Sequence, residues 1–120
     1  MEPEEFLSAV LPSSGLYCVC EFTTKNRNHF FSKTTKEMVQ NSDNLVQQNI
    51  DSYFALASFK SKRRTQEQVV AQKSLFVDLD VDSGKPDKAY ATKKEAEKAF
   101  KNFMKTTELE KFGQPIIVSS

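Results

Sequence analysis

Hydrophobic residues in this chain occur in short runs separated by polar turns, a pattern typical of alternating helices and strands. Residues 4–10 have the length of a short helix, and the turn-forming residues 11–15 follow it. Residues 16–22 are an apolar run of strand length. A polar turn then leads to a second strand candidate at residues 29–31, so the pattern predicts a β-hairpin here.

Two further segments carry apolar residues at helical spacing behind a capping box, which is a hydroxyl residue followed three positions later by Glu. Thr34 and Glu37 begin the first of these segments. Thr92 and Glu95 begin the second, whose apolar stripe is closed near Gly113. Both segments are predicted to be helices.

Three more apolar runs predict strands. Residues 53–59 are rich in aromatic side chains and suit a buried strand, and the polar residues 60–73 follow as a connector. Residues 74–81 contain an apolar run broken by two acids, and residues 116–118 are all β-branched. With the second capped helix between them, the last two runs have the length of one crossover unit. The expected fold class is therefore α+β, with a mixed sheet and packed helices.

The composition is that of one globular domain or a part of one. The chain has 120 residues, of which 38% are hydrophobic and 28% charged, and its mean hydropathy is −0.54. No apolar run approaches the roughly 18 residues needed to cross a bilayer, and the first residues are acidic where a secretory signal is basic. The sequence argues against membrane insertion and export, and it predicts a cytoplasmic location.

The two cysteines, Cys18 and Cys20, share one face of the predicted strand, a spacing that does not favour a disulfide between them. We expect both to be reduced core residues. His29 is the only histidine, so the chain lacks the further soft ligands that a zinc site needs.

The net charge of +1 conceals a basic middle third, since residues 23–73 contain nine basic and four acidic residues. One dense group, which we call the basic cluster, consists of Lys60, Lys62, Arg63 and Arg64. A group of this kind on a loop either contacts phosphates or is a solvated connector, which is the commoner case.

The two acids within residues 74–81 are candidates for chemistry. In a strand Asp78 and Asp80 share a face, where two like charges need neutralisation. A divalent cation supplies it, because Mg²⁺ binds one or two carboxylates together with substrate phosphates. Two such ions about 4 Å apart serve phosphoryl transfer by activating the attacking oxygen and stabilising the leaving one. The turn that follows places the pair at the C-terminal edge of a strand, where open α/β sheets keep their sites.

The Asp-x-Asp pattern also has other interpretations. The plainest is an exposed strand end without function. A calcium loop fits poorly, because its sixth position is Ser83 rather than Gly and its twelfth is Ala89 rather than Glu. A phosphatase with an aspartate nucleophile has a hydroxyl residue or Val two positions after the second acid, where this chain has Asp82.

Residues 75–80, Leu-Phe-Val-Asp-Leu-Asp, resemble the first catalytic motif of archaeo-eukaryotic-type primases and primase-polymerases, especially those of phages and large viruses. In that family the motif is followed by an Ala-rich helix like residues 94–100 and by a strand similar to residues 114–120. The Pro-Ser-Ser-Gly turn before residues 16–22 and the aromatic run at 53–57 are also similar. The resemblance covers most of the chain, and its specific parts are the acid motif and the Pro-Ile-Ile-Val-Ser-Ser run.

The resemblance implies an incomplete primase-polymerase catalytic core with an RRM-like fold. It implies that Asp78 and Asp80 are catalytic ligands of Mg²⁺ or Mn²⁺, and that Ser120 binds nucleotide. In the family this Ser precedes a Gly-containing stretch, a His that contacts the nucleotide, and a third acidic motif. Residues 1–120 are thus expected to be the N-terminal part of one catalytic domain, truncated at its C-terminus and inactive by itself.

The expected function is that of a DNA primase or primase-polymerase in DNA replication, joining nucleoside triphosphates on a single-stranded DNA template. A helicase domain or subunit is a further expected partner, and the basic cluster is expected to follow the phosphate backbone of the template. Two alternatives stay open: a non-catalytic nucleic-acid-binding remnant of the same fold, and a phosphohydrolase with an aspartate nucleophile.

Overall fold

The computed structural model describes residues 1–25, 27–82, 84, 87 and 89–118. Within them the fold is a mixed α+β fold with small antiparallel sheets and three helices, which agrees with the predicted class. The helices are α1 (Pro3–Val10), α2 (Thr35–Gln47) and α3 (Lys93–Thr106). The strands are β1 (Tyr17–Phe22), β2 (His29–Ser32), β3 (Asp51–Phe54), β4 (Ala57–Phe59) and β5 (Val69–Gln72). Short 3₁₀ helices lie at Gln66–Gln68 and Leu109–Phe112.

The chain divides into two compact units, Met1–Leu75 and Phe76–Ser120. In the first unit β1 is the central strand of a three-stranded antiparallel sheet with the order β2-β1-β3. The predicted hairpin is confirmed, with Cys18 of β1 opposite Phe31 of β2.

The prediction of one buried strand over residues 53–59 is wrong. β3 ends at Phe54, and β4 pairs with β5 in a second antiparallel sheet. A bridge between Leu16 and Phe59 joins β4 to the start of β1. In one regular strand Tyr53 and Phe59 would share a face. Instead Tyr53 is exposed and Phe59 is buried, because the break between β3 and β4 interrupts the alternation of sides.

Two apolar clusters stabilise the first unit from opposite faces of β1. Tyr17 and Val19 of β1 face α1 and α2, since alternate residues of a strand share a side. The buried members of this cluster are Leu7, Leu11, Tyr17, Val19, Met38 and Leu45. Cys18 faces the other side, where it packs with Ala55 and Phe59. β1 is therefore buried on both faces.

Both capping boxes predicted from the sequence are formed. The Thr34 hydroxyl accepts a hydrogen bond from the Glu37 amide at 3.1 Å, and the Thr92 hydroxyl accepts one from the Glu95 amide at 3.2 Å. The carboxylate of each glutamate in turn accepts the backbone amide of the residue before the cap. These bonds satisfy amides that a helix start leaves without partners, so α2 and α3 begin where predicted. No helix among the described residues is long and apolar enough to cross a membrane.

The two strands predicted to flank α3 are absent from the described residues. Residues 75–80 and 114–118 belong to no strand, and parallel pairing is limited to a bridge between Val81 and Tyr90. A strand forms only where a neighbour pairs with its backbone amides and carbonyls, and no neighbour does so here. The predictions of a crossover unit and of a mixed sheet are therefore wrong for this part of the chain.

Candidate functional site

The Asp-x-Asp pair lies in a segment without strand structure, which corrects the predicted strand over residues 74–81. Asp78 and Asp80 are both exposed, and the preceding Phe76 and Val77 are exposed as well. Within the described part of the chain, no hydrogen bond or ion pair engages either carboxylate. Both carboxylates are therefore accessible to a ligand from solvent.

A backbone bridge holds the end of this segment. The Tyr90 amide donates to the Asp80 carbonyl at 2.8 Å, and the Asp82 amide donates to the Tyr90 carbonyl at 2.8 Å. The Asp82 carboxylate accepts a hydrogen bond from the Gly84 amide at 2.9 Å. Asp82 is thus engaged in a local hydrogen bond. Ser83, Lys85 and Pro86 of the predicted turn lie outside the described residues.

The carboxylates of Asp78 and Asp80 are hard oxygen ligands. Ligands of this kind suit a divalent cation that also binds phosphate groups. Among the described residues no group of three or more His, Cys, Asp or Glu side chains is placed to hold a metal ion. Mg²⁺ commonly uses only one or two carboxylates and takes its other ligands from water and substrate phosphates. Two exposed carboxylates such as Asp78 and Asp80 would supply only part of this set of ligands. Ser120, predicted to bind nucleotide, lies outside the described residues.

The basic cluster occupies the loop between β4 and β5, and its four side chains are exposed. The base of the loop is fixed, because the Lys60 amide donates to the Gln68 carbonyl at 2.8 Å and the Ser61 hydroxyl donates to the Gln68 side-chain oxygen at 2.7 Å. The prediction of a plain connector over residues 60–73 missed β5, in which two β-branched valines follow Gln68. The cluster belongs to the first unit and the acid pair to the second.

The cysteines are buried and reduced, as predicted. Burial raises the pKa of the Cys18 thiol to about 11, against the opposing effect of the positive charge of Arg64. Because the thiolate is the form that attacks electrophiles, this burial makes Cys18 a poor nucleophile at neutral pH. Cys18 is a core residue.

One feature that the sequence reasoning missed is an open cleft beside β2. It has a volume of ≈ 380 Å³. The residues that line it are His29, Phe30, Phe31, Asn41 and Lys62. The His-Phe-Phe run is visible in the sequence, but only the tertiary structure brings Lys62 of the basic cluster beside it.

Comparison with known proteins gives no match: no protein family matches the chain, and no curated protein or solved structure matches it significantly.

Proposed function

We propose that this chain provides the first metal-binding motif of a primase-polymerase, an enzyme that joins nucleoside triphosphates on a single-stranded DNA template. The observation that carries the proposal is the pair Asp78 and Asp80, two accessible carboxylates directly before the Val81–Tyr90 bridge. The resemblance of residues 75–80 to the first catalytic motif of that family supports the same assignment. The proposed domain is the RRM-like catalytic core of the family.

Each group has a defined part in this proposal. Asp78 and Asp80 hold Mg²⁺ or Mn²⁺ together with the triphosphate, which supplies the remaining oxygen ligands. A bound divalent cation supplies activation of the 3′-hydroxyl and neutralisation of the leaving pyrophosphate. The bridge at Val81 restrains the backbone next to the carboxylates. The basic cluster binds the phosphate backbone of the template through charge.

The test is template-directed incorporation of a labelled nucleotide by the protein carrying Asp78→Asn or Asp80→Asn. Asp87→Asn is the matched control, because Asp87 is an exposed acid of the same unit and loses the same charge. We expect each of the first two variants to lose at least about 100-fold in rate, since metal stabilisation is worth several kcal/mol and each 1.36 kcal/mol is tenfold. Circular dichroism should show an unchanged fold. Retained incorporation in either variant would remove that residue from the proposal.

A second candidate is a nucleic-acid-binding module that performs no chemistry. It is favoured by the finding that no third carboxylate joins Asp78 and Asp80 among the described residues. In that case Mg²⁺ leaves the melting temperature unchanged. Asp78→Asn is then neutral or stabilising, because it only relieves repulsion between two like charges.

A further inference from the structure

We propose that the cleft beside β2 binds one nucleotide unit of a single strand of DNA, with a base stacked on its aromatic side chains and a phosphate held by Lys62. The inference deepens the proposed function and rests on it for the identity of the strand as a template. The binding itself is argued from the first unit alone.

The cleft lies along a free edge of the sheet, which is formed by β2. β2 is an edge strand, and the Glu21 amide donates to the Asn28 carbonyl at 2.8 Å. Glu21 and Asn28 are therefore a hydrogen-bonded pair, and such pairs alternate along an antiparallel ladder with pairs that share no hydrogen bond. His29 and Phe31 belong to the second kind, so their backbone groups point away from β1 and toward the cleft. Asn41 belongs to α2, which packs on one face of the sheet, and the loop of the basic cluster leaves β4, which packs on the other face. The cleft is thus open along its length and has polar groups on both sides.

Of the aromatic side chains that line the cleft, Phe31 is held by ring contacts, whereas Phe30 and His29 are exposed. The ring of Phe31 makes edge-to-face contacts with Phe59 at 6.1 Å and with His29 at 6.5 Å between centroids. The side chain of Phe30 is 36% exposed, and His29 is exposed as well. Single-stranded nucleic acids bind proteins by stacking their bases on aromatic groups of this kind, beside a positively charged path for the backbone.

Basic residues predominate in the two segments that supply residues to the cleft, which favours a polyanion as its ligand. Residues 22–36, which include β2, contain four basic residues and no acid, and residues 60–66 contain four more and no acid. These eight are all but one of the basic residues in residues 23–73. A cleft of ≈ 380 Å³ has the size of a small-ligand site, which spans about 300–1,000 Å³, and it admits one nucleotide rather than a duplex. An acidic peptide satisfies the charges but leaves the aromatic surface unused.

The experiment is fluorescence anisotropy of a 5′-labelled oligothymidylate with the 120-residue chain, with EDTA present so that metal binding plays no part. Lys62→Ala should weaken binding about 5- to 10-fold and reduce the salt slope by about 0.7, the change for one lost phosphate contact to a single strand. Phe30→Leu should weaken binding about 5- to 10-fold through lost stacking. Lys73→Ala and Tyr53→Leu are the matched controls. Within residues 23–73, Lys73 is the one basic residue that lies in neither basic segment, and Tyr53 is exposed on the opposite edge strand.

The controls should stay within about twofold of the unmodified chain, since a surface charge outside the contact has little effect on affinity. The proposal is overturned if Lys62→Ala and Phe30→Leu bind like the controls, or if a duplex or an acidic peptide binds as tightly as the oligothymidylate. If the Phe30→Leu variant does not fold, the salt dependence of binding by Lys62→Ala decides whether the proposal stands. Lys62 is exposed, so its replacement should leave the fold intact. Failure of the catalytic proposal would appear only in the Asp78 and Asp80 variants and would leave these affinities unchanged.

Discussion

Replacement of Gly15 by Ala tests how the turn between α1 and β1 packs against β4. Gly15 has φ +92°, a backbone conformation that residues with a Cβ rarely adopt. A Cβ at this position would lie 2.8 Å from the Ser58 hydroxyl oxygen and 2.9 Å from the Ser58 Cβ. Ser58 is completely buried in β4, so its side chain has no open space into which it can move.

The magnitude follows from two costs. The left-handed conformation costs a residue with a Cβ about 1–2 kcal/mol. Overpacking against a buried neighbour costs about 1–3 kcal/mol more. The free energy of unfolding should therefore fall by about 2–5 kcal/mol, and the melting temperature should fall by about 8–20 °C for a chain of this length.

Two further variants separate the costs in thermal and urea denaturation followed by circular dichroism. Gly113 has φ +103°, and a Cβ added to it would meet no atom within 4 Å, so Gly113→Ala measures the backbone cost alone. Ser58→Gly in the Gly15→Ala background removes the close contact and should recover the packing cost as a favourable coupling energy. If Gly15→Ala is no more destabilising than Gly113→Ala, or if Ser58→Gly brings no recovery, the packing of this turn on β4 is refuted.

Two other properties of the structure give direct predictions. Thr92→Ala removes the N-cap hydroxyl of α3 and should cost about 1 kcal/mol of stability, with a loss of far-UV helix signal that Thr106→Ala at the other end does not cause. An equal loss in both variants would contradict the capping role. The Cys18 pKa is raised from 9.0 to about 11, so the unfolded chain loses this proton before the folded chain does. Stability should fall as the pH rises from about 9 to about 11. In urea titrations the Cys18→Ala variant should not show this fall in stability between about pH 9 and about pH 11. If the variant and the unmodified chain depend on pH in the same way, the burial of the thiol is contradicted.

Elements that depend on local chemistry could be predicted from the sequence. The hydroxyls of Thr34 and Thr92 begin α2 and α3 because they bond amides three residues away, an interaction contained in the sequence spacing. The hairpin of β1 and β2 likewise needs only two apolar runs and a polar turn between them. These elements form where the sequence indicates.

Elements that depend on a distant partner could not be predicted. Residues 75–80 have the composition of a strand, but pairing requires a neighbour that their own composition does not specify. The identity of Asp78 and Asp80 as a candidate pair was visible in the sequence, whereas their exposure was not. The cleft beside β2 is the clearest case, because Lys62 reaches it only after β4 and β5 have paired.

We propose that Asp78 and Asp80 bind one divalent cation together. This claim is tested most directly by NMR of the 120-residue chain with Mn²⁺ at amounts well below one ion per chain, since a bound paramagnetic ion broadens the nearest amide signals. We expect the amides of residues 77–81 to broaden first, and we expect that effect to disappear in the Asp78→Asn/Asp80→Asn variant and persist in Asp87→Asn. Broadening spread evenly over exposed acids such as Asp43 and Asp87, with no preference for residues 77–81, would contradict the claim.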